Sequence, residues 1–77
     1  MDLRFLGKDT QGGGSPTLFD TSEIMNGKEI YVIQGWKITD PATLAQLNIP
    51  DHETVIAVPK HLMRFLPKDD PHAPANG

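Results

Sequence analysis

The stretch Glu29-Ile30-Tyr31-Val32-Ile33-Gln34-Gly35-Trp36-Lys37-Ile38 decides how the rest of this chain reads. It holds the single Trp and the single Tyr and is the longest β-favouring run in the sequence. Side chains alternate across a strand, so Ile30, Val32, Trp36 and Ile38 share one face, while Tyr31, Ile33 and Lys37 share the other. Gln34 interrupts the first face. Gly35 beside it marks either a bulge or a point where another backbone comes close.

Immediately upstream, Asn26-Gly27 is a strong hairpin signal, because a type I′ turn needs positive φ at both central residues. Ile24 and Met25 are thereby expected to pair with Lys28 to Ile30, joining a second strand that begins at Thr17-Leu18-Phe19 to the organising one. A competing reading comes from Asp20 and Glu23, which have capping-box spacing and allow a single helical turn over Thr21 to Met25. Further back, Leu3 and Phe5 share a face of a short N-terminal strand that ends at Gly7-Lys8-Asp9. Thr10 to Pro16, centred on Gly12-Gly13-Gly14, reads as a flexible connection. Its glycines run into Ser15-Pro16-Thr17 and lack the Gly-Lys-Ser/Thr ending that opens a phosphate-binding helix.

Downstream, Asp40-Pro41 announces a helix. The carboxylate accepts from free N–H groups of the first turn, and Pro suits a first position that needs no N–H. Leu44 and Leu47 lie on one face, Asn48 can take a left-handed terminal conformation, and Pro50 prevents continuation, so the helix is expected over Pro41 to Leu47. Thr54-Val55-Ile56-Ala57-Val58 is apolar on both faces and reads as an interior strand. Between Pro59 and Pro67, the spacing of Leu62, Phe65 and Leu66 predicts a last helix of at most two turns.

These elements predict an α+β fold in the order β-β-β-α-β-α: a small, mainly antiparallel sheet of three or four strands with two short helices. The direction of the fourth strand relative to the third is open, and an SH3-like small barrel is the alternative. Residues 1–67 make one domain. Residues 68–77 (KDDPHAPANG) contain no large apolar side chain and read as a disordered C-terminal tail.

Composition narrows the function classes. Ten acidic residues against seven basic ones give a formal charge of −3, and the basic residues are scattered along the chain. Nucleic-acid binders neutralise phosphates with clustered Lys and Arg, so no nucleic acid is expected as a partner. The absence of Cys removes disulfides, thiolate nucleophiles and Cys-ligated zinc, and favours a reducing, cytoplasmic setting. The start Met1-Asp2-Leu3-Arg4 lacks the pattern of a signal peptide, and no apolar run reaches the ~20 residues of a membrane span.

No constellation of catalytic type emerges, and neither a cofactor nor a metal is expected. His52 stands between Asp51 and Glu53 in a turn, and His52, His61 and His72 show no ligand spacing. Asp69-Asp70 with His72 is a crude metal pattern in a segment with no fixed geometry. Ser15, Ser22 and the Thr residues have no base at a recognisable spacing. Trp36 is expected in the core, its indole covering the sheet. Trp also anchors interfaces, and Gln34, Gly35 and Trp36 together outline a shallow groove suited to a partner's backbone.

Three phrases carry a resemblance: Ser15-Pro16-Thr17-Leu18, then Tyr31-Val32-Ile33-Gln34-Gly35-Trp36-Lys37-Ile38-Thr39-Asp40-Pro41, then Ile49-Pro50-Asp51-His52-Glu53-Thr54-Val55. With them, most of residues 4–66 resembles a group of small uncharacterised actinobacterial proteins. The resemblance implies that Asp20 to Lys28 is an insertion. It also implies a regulatory setting, since members resemble accessory proteins near helix-turn-helix regulators. The expected function is that of a non-catalytic interaction or regulatory module, binding another protein or a second copy of itself. The alternative is a small-molecule-binding protein or minor enzyme with a site near Gly35, Trp36 and His52.

Overall fold

A computed structural model describes residues 1–9 and 15–68. Its elements run β1 (Arg4–Lys8), β2 (Thr17–Met25), β3 (Lys28–Gln34), β4 (Trp36–Lys37), α1 (Pro41–Leu44), β5 (Ile56–Ala57) and a 3-10 helix (Lys60–Phe65). The fold is α+β, as the sequence predicts. Among the described residues the strands form two antiparallel sheets, β1-β2-β3 and β4-β5, and do not close into a barrel. The glycine run Gly12-Gly13-Gly14, and the predicted tail beyond Lys68, lie outside the described residues.

The Asn26-Gly27 turn forms as its chemistry requires. Asn26 has φ of 52° and Gly27 of 77°, and Met25 pairs with Lys28 across it. The competing helical turn does not form, and β2 continues to Met25. Asp20 and Thr21 instead cap N–H groups where the β2–β3 register shifts between Asp20 and Ile24. Asp20 Oδ1 accepts from the Thr21 N–H at 2.7 Å, and Thr21 Oγ1 accepts from the Glu23 N–H at 3.1 Å. Side-chain oxygens thus stand in for ladder partners at the irregularity.

On the other side of β2, β1 pairs Phe5 with Phe19 and Gly7 with Leu18, so the register shifts around Leu6. Beyond Lys8 and Thr17 the hairpin is closed by the Asp9 N–H donating to the Pro16 carbonyl at 2.9 Å. One face of this sheet carries Gly7, Leu18 and Ile33 in a transverse row, and the 3-10 helix packs against β1 and β2. Side chains three apart eclipse in a 3-10 helix, which brings Leu62 and Phe65 to the same side. Leu18 and Leu62 are completely buried, as is Pro16, two residues before Leu18.

Two expectations about the later strands need correction. The run Glu29 to Ile38 is not one strand: Gly35 interrupts it, and Trp36–Lys37 leave the first sheet to pair with β5. The predicted interior strand over Thr54 to Val58 is reduced to Ile56–Ala57, both exposed, because its ladder has β4 on one side and no strand among the described residues on the other. The last helix forms between Pro59 and Pro67 as expected, as a 3-10 helix closed by the extended Leu66 that Pro67 demands (φ −61°, ψ 136°). The helix after Asp40 also starts where expected. Its α-helical part ends at Leu44, and i to i−3 bonds from Gln46 to Thr43 and Leu47 to Leu44, both 3.1 Å, tighten the chain as far as Leu47.

Candidate functional site

The three residues singled out as a partner surface fall at the junction between the two sheets. Gln34 ends β3, opposite Thr17, with its side chain exposed. Gly35 bridges to β4. A Cβ built on Gly35 would lie 2.6 Å from the Ala57 carbonyl oxygen and 2.6 Å from Val58 Cγ1. The close backbone approach that a glycine permits is therefore made by the chain's own β5 segment. Trp36 follows at once, opposite Ala57 in the β4–β5 ladder.

Trp36 is 43% exposed. The expectation of a core indole is therefore corrected. Trp36 thus keeps much of its surface in solvent on a ribbon of only two rungs. The ribbon owes its position to the segment Ala57-Val58 resting on Gly35 and to the single pair of antiparallel rungs, Trp36 with Ala57 and Lys37 with Ile56.

His52 lies in an exposed turn, its Nε2 3.8 Å from a Glu53 carboxylate oxygen. That is an ion pair in water, available only to the protonated imidazole, and it orients no nucleophile. His61 and Arg64 form a side-chain contact on the 3-10 helix, and the Arg64 guanidinium sits 4.2 Å from the Phe65 ring centroid. Thr17, Thr21 and Thr43 use their hydroxyls on backbone or carboxylate partners, at distances of 2.7, 3.1 and 2.7 Å. Among the described residues no group of His, Asp and Glu is arranged to hold a metal ion. The Asp69-Asp70-His72 pattern lies outside them.

Two arrangements of charged groups are well defined. Arg4 and Asp20 face each other across β1 and β2, joined by a 2.7 Å bond from Nη2 to Oδ2. Asp40 caps α1. Its Oδ2 accepts from the Thr43 hydroxyl at 2.7 Å and the Thr43 N–H at 3.0 Å, and these two bonds hold its pKa below the ordinary value. Both arrangements serve the fold: one ties β1 to β2, the other caps α1.

What the sequence reading missed is an apolar row on the outer face of the first sheet. Phe5 pairs with Phe19, and Phe19 with Val32, so the three side chains stand side by side. The two rings meet edge-on, centroids 6.5 Å apart and planes at 75°. Phe5 is 61% exposed. The alternation of Leu3 and Phe5 signals a strand face, but only the register brings Phe19 and Val32 beside it.

No family model, curated protein or solved structure matches this chain.

Proposed function

We propose that this domain is a non-catalytic interaction module that binds another protein, with Trp36 as the anchor of the contact. The observation that carries the reading is the exposed indole on a ribbon held in place by Gly35. A large aromatic ring with one side open combines a big apolar area with an N–H donor and loses little rotamer entropy on binding. Gln34 stands next to it as a polar group on the rim. The apolar outer face bearing Phe5 supports the same reading, since contiguous exposed apolar surface is a mark of interaction sites. A cytoplasmic, regulatory setting belongs to the same proposal.

The test compares native protein with Trp36→Ala as baits in affinity capture from the source cells, followed by direct titration of the captured partner. The proposal expects a partner whose affinity falls by about 2 kcal/mol or more with the variant, the behaviour of an interface anchor. Equal affinity for both baits removes Trp36 from the contact. Because the ring is exposed, the variant folds, and circular dichroism verifies that each bait is native.

A further inference from the structure

Asn26-Gly27 does more than turn the chain. Nothing lies within 4 Å of the place where a Cβ on Gly27 would sit, and Asn26, Gly27 and both flanking residues are exposed. In an Asn-Gly pair the following main-chain nitrogen reaches the side-chain amide carbon most readily, because no side chain blocks its approach. The structure assigns Asn26 as a site of spontaneous covalent change: loss of its side-chain amide to water, controlled by opening of the hairpin tip.

The Gly27 nitrogen attacks Cγ of Asn26, and its proton leaves with the departing amide group as ammonia. A five-membered succinimide remains, in which the Gly27 nitrogen is bonded to both carbonyl carbons of residue 26. Water then opens the ring. Attack at Cγ breaks the new C–N bond and gives aspartate. Attack at the main-chain carbonyl breaks the original peptide bond and gives isoaspartate. The balance is one water consumed and one ammonia released, with no change of oxidation state.

The closed turn opposes the first step. With φ of 52° at Asn26 and 77° at Gly27 the turn is type I′, whose first central residue has ψ of about +30°. That ψ places the Gly27 nitrogen on the far side of the Cα–C bond from Cβ, whereas ring closure needs the two eclipsed. The Met25–Lys28 pair holds it there. Reaction therefore runs through local opening of the tip, where only Met25–Lys28 and Ile24–Glu29 pair before the register shifts toward Asp20. The two products then behave differently. Asp-Gly also fits a type I′ turn, so aspartate lets the hairpin close again. Isoaspartate adds one main-chain carbon to a loop whose length sets the register, so Met25 no longer meets Lys28. Either product adds one negative charge to the formal −3.

This site does not depend on the Trp36 contact, and its test needs no partner. Purified full-length protein, the same protein in urea, and a synthetic peptide of residues 21–32 are aged side by side at mildly alkaline pH. Peptide mapping by mass spectrometry follows each Asn. It keeps Asn26 apart from Asn76-Gly77, which lies outside the described residues. Asn48 is the internal reference, since it is exposed but followed by the branched Ile49. Asn26 is expected to convert to both products in all three samples, and faster than Asn48. The native protein should convert more slowly than the peptide by about tenfold or more, and urea should remove the difference. Separated by charge, the isoaspartate form should lose the cross-strand NMR contact between Met25 and Lys28. The aspartate form, matched by Asn26→Asp, should keep it. Conversion of Asn26 no faster than Asn48 in native protein, or equal rates in native protein and peptide, overturns the assignment. An isoaspartate form that keeps the Met25–Lys28 contact overturns its effect on the hairpin.

Discussion

Phe65 rests on Gly7: a Cβ built there would clash with the Phe65 ring at Cγ, Cδ1 and Cδ2. This contact docks the 3-10 helix onto β1, next to the buried pair Leu18 and Leu62. Gly7 is thus a packing position, not a turn position, and the ring occupies the space that a side chain would fill. The Arg64 guanidinium lies over the same ring, so one aromatic side chain joins the helix, the strand and a surface cation.

Gly7→Ala should therefore destabilise the domain by about 1–3 kcal/mol, the cost of overpacking where the neighbour is a ring that cannot bend aside. Denaturant unfolding measures it. In the Phe65→Ala background the same Gly7→Ala change should cost far less, since the obstructing ring is gone. An additive double mutant would show that the two positions do not meet.

Gly27 has φ of +77° and open space where a Cβ would go. The strain in Gly27→Ala is therefore purely that of the backbone, and the expected loss is about 1–2 kcal/mol. A D-alanine placed there by chemical synthesis should restore stability, because its stereochemistry suits positive φ. Equal melting curves for the L and D forms would contradict a type I′ turn.

The hydrogen bonds from Thr43, side chain first and backbone second, lower the pKa of Asp40 from 3.8. A lowered folded-state value means that the cap contributes stability in full above the unfolded value. That contribution is lost as the pH falls from about 3.8 through the folded value. Asp40→Ala should lower the melting temperature at neutral pH, and the gap from native protein should close in acid. Asp40→Asn keeps an acceptor for the Thr43 N–H, so it should lose less and show no acid dependence in that window. Thermal unfolding followed across the acid range checks both.

With Trp36 part-exposed, Trp36→Ala should cost about 1–2 kcal/mol, less than the 3–5 typical of a fully buried aromatic. The melting transition should stay cooperative, and iodide should quench the native fluorescence strongly. A collapsed transition with weak quenching would return the ring to the core.

The parts of this fold legible in the sequence are those that depend only on near neighbours. Asn26-Gly27 dictates its turn because two adjacent residues must adopt positive φ, and β-strands on either side complete the hairpin. Asp40-Pro41 dictates a helix start because the carboxylate and the missing N–H act within one turn. Alternation along residues 30–33 also survives, since period two is a property of the strand itself. What the tertiary structure alone decided is which of these surfaces is covered. Gly35 admits a neighbouring backbone equally well from a partner or from its own chain, and the arrival of Ala57 and Val58 settled that choice and carried Trp36 away from the first sheet. The helix between Pro59 and Pro67 became 3-10 where it packs on β1 and β2, with Phe65 seated on Gly7 and Leu62, three residues away, fully buried. Burial depends on which distant residues meet, and local preference holds no information about that meeting.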